Sequence, residues 1–216
     1  MSSFMPSRRS FVAALTGFAG LPLAPQQTPP RPPAAADWDM TWLDRFKGKH
    51  KQVFDLGSFD LSVDTPLRVP TNYLDTFRDV YRLAPPELNV AVGVSRIAFP
   101  INASDALWQK FALGDRWGIK DPETGKPSTR NIFLGGADGG ADRATVRGLQ
   151  ARGALFWQCN VALGAVVFQL ARAMNRPQPE VRAEVVAGLN PGVILVPSHA
   201  MAIGLVQERG LTYEKV

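Results

Sequence analysis

Apolar positions along this chain recur with two different spacings, and the switches between them divide residues 37–216 into alternating strands and helices. Residues 51–59 (Lys-Gln-Val-Phe-Asp-Leu-Gly-Ser-Phe) read as a first strand. Tyr73, Leu74, Phe77, Val80 and Tyr81 then recur at spacings of one, three and four, which predicts an amphipathic helix over 72–83, ended by Pro85-Pro86. Residues 88–99 alternate little and carry Val90, Val92, Val94 and Ile97, the mark of a strand buried on both faces in a parallel sheet. Leu107, Trp108 and Phe111 give 103–113 an inner helical face. A short helix is expected at 145–152, a buried strand at 154–158 and a helix from 161 to 174. Further helices are expected at 180–189 and 200–209, with strands at 193–197 and 211–216. Ahead of the first strand, 38–46 reads as a short helix whose tryptophans are packing residues. The order predicts an α/β fold of three layers, α/β/α, on a mostly parallel sheet of about five strands.

One stretch breaks the pattern. Residues 114–144 hold Gly114, Gly118, Gly125, Gly135, Gly136, Gly139 and Gly140 with two prolines. A segment of that length without periodicity reads as a surface excursion able to cover a site. Its Gly-Gly-Ala-Asp-Gly-Gly run is followed by no Gly-Lys-Ser/Thr, so it is not a phosphate loop.

The first 36 residues follow another rule. Ser7-Arg8-Arg9-Ser10-Phe11-Val12 resembles a twin-arginine export signal, followed by the uncharged apolar stretch 11–24, a proline-rich segment and Ala34-Ala35-Ala36, a cleavage site of small residues. The apolar stretch is shorter than the about 20 residues a spanning helix needs, so it reads as a signal core. The expectation is a periplasmic or secreted domain over 37–216, with no stable membrane anchor after cleavage. Charge supports this division: the whole chain carries +5, but residues 1–36 hold three arginines and no acid, leaving 21 basic and 19 acidic residues. A near-neutral domain without a concentrated basic face argues against nucleic acid as a partner.

In a parallel sheet, ligands bind beyond the carboxyl ends of the strands. The residues expected there are 55–59, Phe99 to Asn102, Cys159-Asn160 and Ser198-His199. The chain's only cysteine and one of its two histidines therefore share an edge. A thiol between a strand and a helix faces unpaired N–H groups and the positive end of the helix dipole, which favour thiolate. His199 is a candidate base or cationic partner, and Ser198 a candidate helix cap. Asn102, Asn160 and Ser198 are candidate binding residues. The opposing reading is that Cys159 is packing, since cysteine is among the most buried residue types. His50 falls at the opposite edge of the sheet. One Cys and two His on opposite edges do not make a zinc site, and no Gly-x-Ser-x-Gly elbow is present.

The Gly-x-x-x-x-x-Cys-Asn-x-Ala-Leu pattern of 153–163 is followed by Asn190-Pro191-Gly192-Val193, Val196-Pro197-Ser198 and Gly210-Leu211-Thr212-Tyr213. Together with residues 49–55 these motifs resemble the DsrE/DsrF-like superfamily of sulfur-relay proteins, in its exported branch. The resemblance implies a persulfide-carrying cysteine at Cys159, exchange with a sulfur donor or acceptor protein or a small sulfur compound, no cofactor, and a homo- or hetero-oligomer. The long excursion 114–144 departs from the small cytoplasmic members. The competing expectation is a non-catalytic small-ligand-binding or oligomeric assembly module in which Cys159 is structural.

Overall fold

A computed structural model describes residues 38–62, 64–136 and 144–216; the twin-arginine segment lies outside them. Five strands, β1 (His50–Leu56), β2 (Leu88–Val94), β3 (Leu155–Cys159), β4 (Val193–Val196) and β5 (Thr212–Lys215), form one sheet in the order β4-β3-β2-β1-β5. Every pairing is parallel. The helices are α1 (Arg68–Tyr81), α2 (Asp105–Phe111), α3 (Leu113–Arg116), α4 (Val146–Ala151), α5 (Asn160–Ala173), α6 (Gln178–Ala187) and α7 (His199–Glu208).

Alternation along the strands sorts side chains into two cores. Phe54, Val92, Val94 and Phe156 point to one face, where Leu74 of α1, Trp108 of α2, Leu163 and Leu170 of α5 and Val185 of α6 bury them. Val53, Ala91, Leu155 and Trp157 point to the other, under Ala202 and Val206 of α7 and under Trp42, Leu43 and Phe46 from the 3₁₀ turn Thr41–Arg45 and its flank. Helices on both faces of a parallel sheet make the three-layer α/β/α fold expected from the periodicity. The strands advance in one direction from β1 to β4, and the chain then returns to pair β5 with the other side of β1. That reversal accompanies the placement of α7 on the face it shares with the 3₁₀ turn Thr41–Arg45.

Several boundaries move for identifiable reasons. β2 stops at Val94 rather than at 99, because Arg96 takes a left-handed backbone (φ 47°) and Arg96–Asn102 wind into a 3₁₀ helix around Pro100. Ile97, expected in a buried strand, is thereby exposed. β1 ends at Leu56, whose carbonyl takes the last sheet hydrogen bond from the N–H of Ser95. α1 starts at Arg68 rather than at 72, with Pro70 in the first turn where an N–H has no helical partner to lose. Likewise α6 begins at Gln178 with Pro179 in its first turn.

The described part of the excursion is not a loose flap. Residues 113–116 complete α3, and Ile119, Phe133 and Leu134 are buried in the larger core. Asn131 pins the segment: its amide nitrogen donates to the carbonyls of Ile101 (3.0 Å) and Ala103 (2.6 Å), and its Oδ1 accepts from the N–H of Phe133 (2.9 Å). Polarity and glycine content hid this packing, since the anchors are single side chains without a period. The excursion packs on α2 and the 3₁₀ helix, and no hydrogen bond ties its described residues to Cys159 among the described residues.

Asn131→Ala removes three bonds at a buried position, and leaving such groups unpaired costs about 1–3 kcal/mol each where water cannot replace the partner. The expected outcome in urea denaturation is a loss of about 2–4 kcal/mol, with earlier proteolytic cutting within 119–136 than in the wild type.

Candidate functional site

The site begins with one row of the sheet. Asp55 of β1, Gly93 of β2 and Trp157 of β3 lie side by side in register, with Lys215 of β5 beyond Asp55. Gly93 leaves a slot between a carboxylate and an indole, and the ring of His199 occupies it. A Cβ at Gly93 would stand 2.5 Å from Cζ2 of Trp157 and 2.8 Å from Cε1 of His199. The ring is held at both nitrogens. Trp157 Nε1 donates to Nδ1 at 3.1 Å, and Nε2 meets Asp55 Oδ1 at 2.7 Å. An indole N–H can only donate, so Nδ1 is the acceptor and Nε2 carries the proton given to Asp55. The second carboxylate oxygen of Asp55 accepts from the hydroxyl of Tyr213 at 2.8 Å. Trp42 packs on Trp157, with ring centroids 5.6 Å apart.

His199 is the first residue of α7, so fixing its ring fixes where that helix starts. Cys159 closes β3 and caps α5, and its sulfur accepts the N–H of Ala162 at 3.4 Å. The same sulfur accepts the backbone N–H of His199 at 3.3 Å. Two helices of 14 and 10 residues therefore begin at one buried thiol, which is 4% exposed. Donors and helix dipoles aimed at a sulfur favour negative charge on it.

Cys159 and His199 thus come together, as the shared edge predicted, but the contact is made by the main chain of His199. Both imidazole nitrogens are engaged elsewhere, so the ring is not positioned as the thiol's base. Ser198 stands at the cap position of α7 without a side-chain capping bond. The expectation that it caps the helix is corrected: the sulfur of Cys159 takes the N–H of His199. Asn160 accepts from Arg182, tying α5 to α6. Asn102 lies on the other face of the sheet, fully buried, and donates to the carbonyl of Trp157 (3.1 Å) and to Gln158 Oε1 (3.2 Å). It braces the strand that ends in Cys159 and does not touch the thiol. His50 starts β1 at the opposite edge and packs against Phe77, with ring centroids 4.8 Å apart and the rings tilted by 41°.

Asp55 falls within the stretch 55–59 expected at the strand ends, whereas Trp157 and Tyr213 lie outside the stretches expected there. The available signal was the acid in Val53-Phe54-Asp55-Leu56, a charge near the end of an otherwise apolar strand. Beside this network lies a cleft of about 360 Å³ walled by Asp55, Ser95, Arg96, His199 and Lys215. The chain matches no protein-family model, and no curated protein matches it.

Two measurements check the network. Gly93→Ala overpacks the slot and is expected to lose about 1–3 kcal/mol in urea denaturation, together with the Trp157 indole N–H resonance of the bonded state. Separately, the bond to Asp55, with smaller contributions from burial and from the carboxylate's charge, raises the Tyr213 pKa above its ordinary 10.0. A raised folded value means that the neutral phenol is favoured on folding. Its contribution to stability is full below the unfolded pKa and disappears as pH climbs through the folded one. Tyrosine NMR titration should find Tyr213 above 10.0 in the wild type and closer to 10.0 in Asp55→Asn.

Proposed function

We propose that this chain is an exported DsrE-like protein that binds or carries sulfane sulfur as a persulfide on Cys159. The observation that carries the reading is the pair of backbone N–H groups, from Ala162 and His199, directed at one sulfur from two helix N-termini. They stabilise negative charge on the attacking sulfur. The Cys159 thiolate attacks the outer sulfur of a persulfide or polysulfide donor. The new Sγ–S bond forms as the donor's S–S bond breaks, and the electron pair leaves on the donor's inner sulfur as a thiolate. No oxidant or reductant is consumed, and the product on Cys159 is again an anion, its charge now on the outer sulfur. His199 contributes its main-chain donor, and the Asp55–His199–Trp157 network holds that donor in place.

Burial of the sulfur to 4% exposure supports a second reading: Cys159 is a structural cap joining α5 and α7 in a non-catalytic binding or assembly module.

One experiment separates the two. Folded protein is incubated with inorganic polysulfide, trapped with iodoacetamide and analysed by peptide mass spectrometry. The expected result is alkylated persulfide on Cys159 in the wild type and none in Cys159→Ala. An unmodified thiol in folded wild-type protein, or an equal sulfur gain in Cys159→Ala, removes the sulfur reading. Protection that ends only on unfolding favours the structural cap.

A further inference from the structure

A second concave site adjoins the first and shares Arg96 and Ile97 of the 3₁₀ helix with it. A groove of about 720 Å³ runs between Arg96–Asn102, the end of α3 and the first three turns of α5, within the about 300–1,000 Å³ usual for small-molecule sites. Its walls are mostly apolar: Ile97, Trp117, Ala162 and Leu170 face it, with Gln169 among them. The indole of Trp117 is set in the wall by a bond from Nε1 to the carbonyl of Ile97 (2.8 Å) and by its packing on Phe99 (6.1 Å between centroids). Two cations stand on this apolar surface, Arg96 and Arg116, and no acidic residue lines it.

The two arginines are not held by acids among the described residues. Arg68, Arg130, Arg152, Arg176 and Arg209 each meet a carboxylate. Among the described residues neither Arg96 nor Arg116 has an ion pair. Arg116 spends only its Nε, on the carbonyl of Phe111 at 2.8 Å, leaving its terminal nitrogens for another acceptor. Arg96 is exposed on its left-handed turn, at the boundary between this groove and the Asp55–His199 cleft. An apolar trough with two unpaired guanidinium forks has the complement of an apolar body bearing one anionic end.

We propose that this groove binds a small organic anion with a hydrocarbon body, its carboxylate held between Arg96 and Arg116 and its chain laid along Trp117 and α5. The inference holds whether or not Cys159 carries sulfur: the thiol does not line the groove, and Ala162, which does, gives the sulfur only its backbone N–H. A carboxylate gains paired donors from each fork, and the chain removes apolar wall from water.

Full-length protein is titrated with octanoate, octanol and acetate by calorimetry, with tryptophan fluorescence recorded in parallel. Octanoate is expected to bind at one site with a change in emission that Trp117→Phe abolishes. Octanol, and octanoate on the Arg96→Gln/Arg116→Gln variant, should bind at least about tenfold more weakly, and acetate should give no heat. Ala165→Glu, which places an acid on the exposed α5 wall, should also abolish octanoate binding while leaving the sedimentation coefficient unchanged. The proposal is overturned if octanoate does not bind, if octanol binds as tightly, or if the double arginine variant, folded by circular dichroism, binds unchanged. It is equally overturned if Ala165→Glu turns an oligomer into a monomer and the wild type ignores octanoate, because the groove's occupant is then a second copy of the chain.

Discussion

The missing side chain at Gly93 is the constraint on which the site depends. In the middle strand of a five-stranded sheet, any other residue would fill the space that the His199 ring takes between Asp55 and Trp157. With the ring seated there, its two nitrogens are matched to a donor on one side and a carboxylate on the other, so a half-buried polar group has no unpaired ring nitrogen. The ring belongs to the first residue of α7, and seating it positions the backbone N–H that reaches Cys159. The path runs from an absent Cβ, through a side-chain network, to the electrostatics of a sulfur one strand away.

Cys159 occupies a position that serines and asparagines usually fill. As the cap of α5 it accepts an N–H from the third residue on, the ordinary capping geometry with sulfur in place of oxygen. Its second bond, from the start of α7, is less ordinary. Ser198, with a better capping side chain and the right place in sequence, makes no capping bond. Sulfur is larger and a weaker acceptor than oxygen, so its value at this junction is greatest when it is charged. The same arrangement ties together helices on opposite faces of the sheet, α5 over one core and α7 over the other. Chemistry and architecture therefore make opposite demands on the thiol, which must be reachable in the first case and sealed in the second.

The turn after β2 organises the surroundings. By leaving the sheet at Ser95 and reversing through a left-handed Arg96, the chain separates a polar cleft beside Asp55 and His199 from an apolar groove along α5. The glycine-rich excursion contributes Arg116 and Trp117 to the groove from its first residues and then folds back onto the core through Asn131. Its lack of periodicity reflects individual polar anchors, which substitute for an amphipathic face.

Local pattern determined a great deal about this protein. Buried runs such as Val90–Val94 and stripes such as Leu163, Val166, Val167 and Leu170 carry their own period, because a strand or helix must turn one set of residues inward wherever it sits. Strands alternating with helices then impose a parallel sheet, and a parallel sheet puts Cys159 and His199 at one edge. What the pattern could not supply is which side chains meet there. Asp55, Trp157 and Tyr213 are separated by more than 50 residues from one another, and their meeting depends on strand order, on register, and on Gly93 lying between two of them. The end of β2 was equally out of reach, since Ile97 and Phe99 look the same in a strand and in a 3₁₀ turn. Period is a property of neighbours along the chain, whereas the donors around a sulfur and the partners of an imidazole are set by the tertiary structure alone.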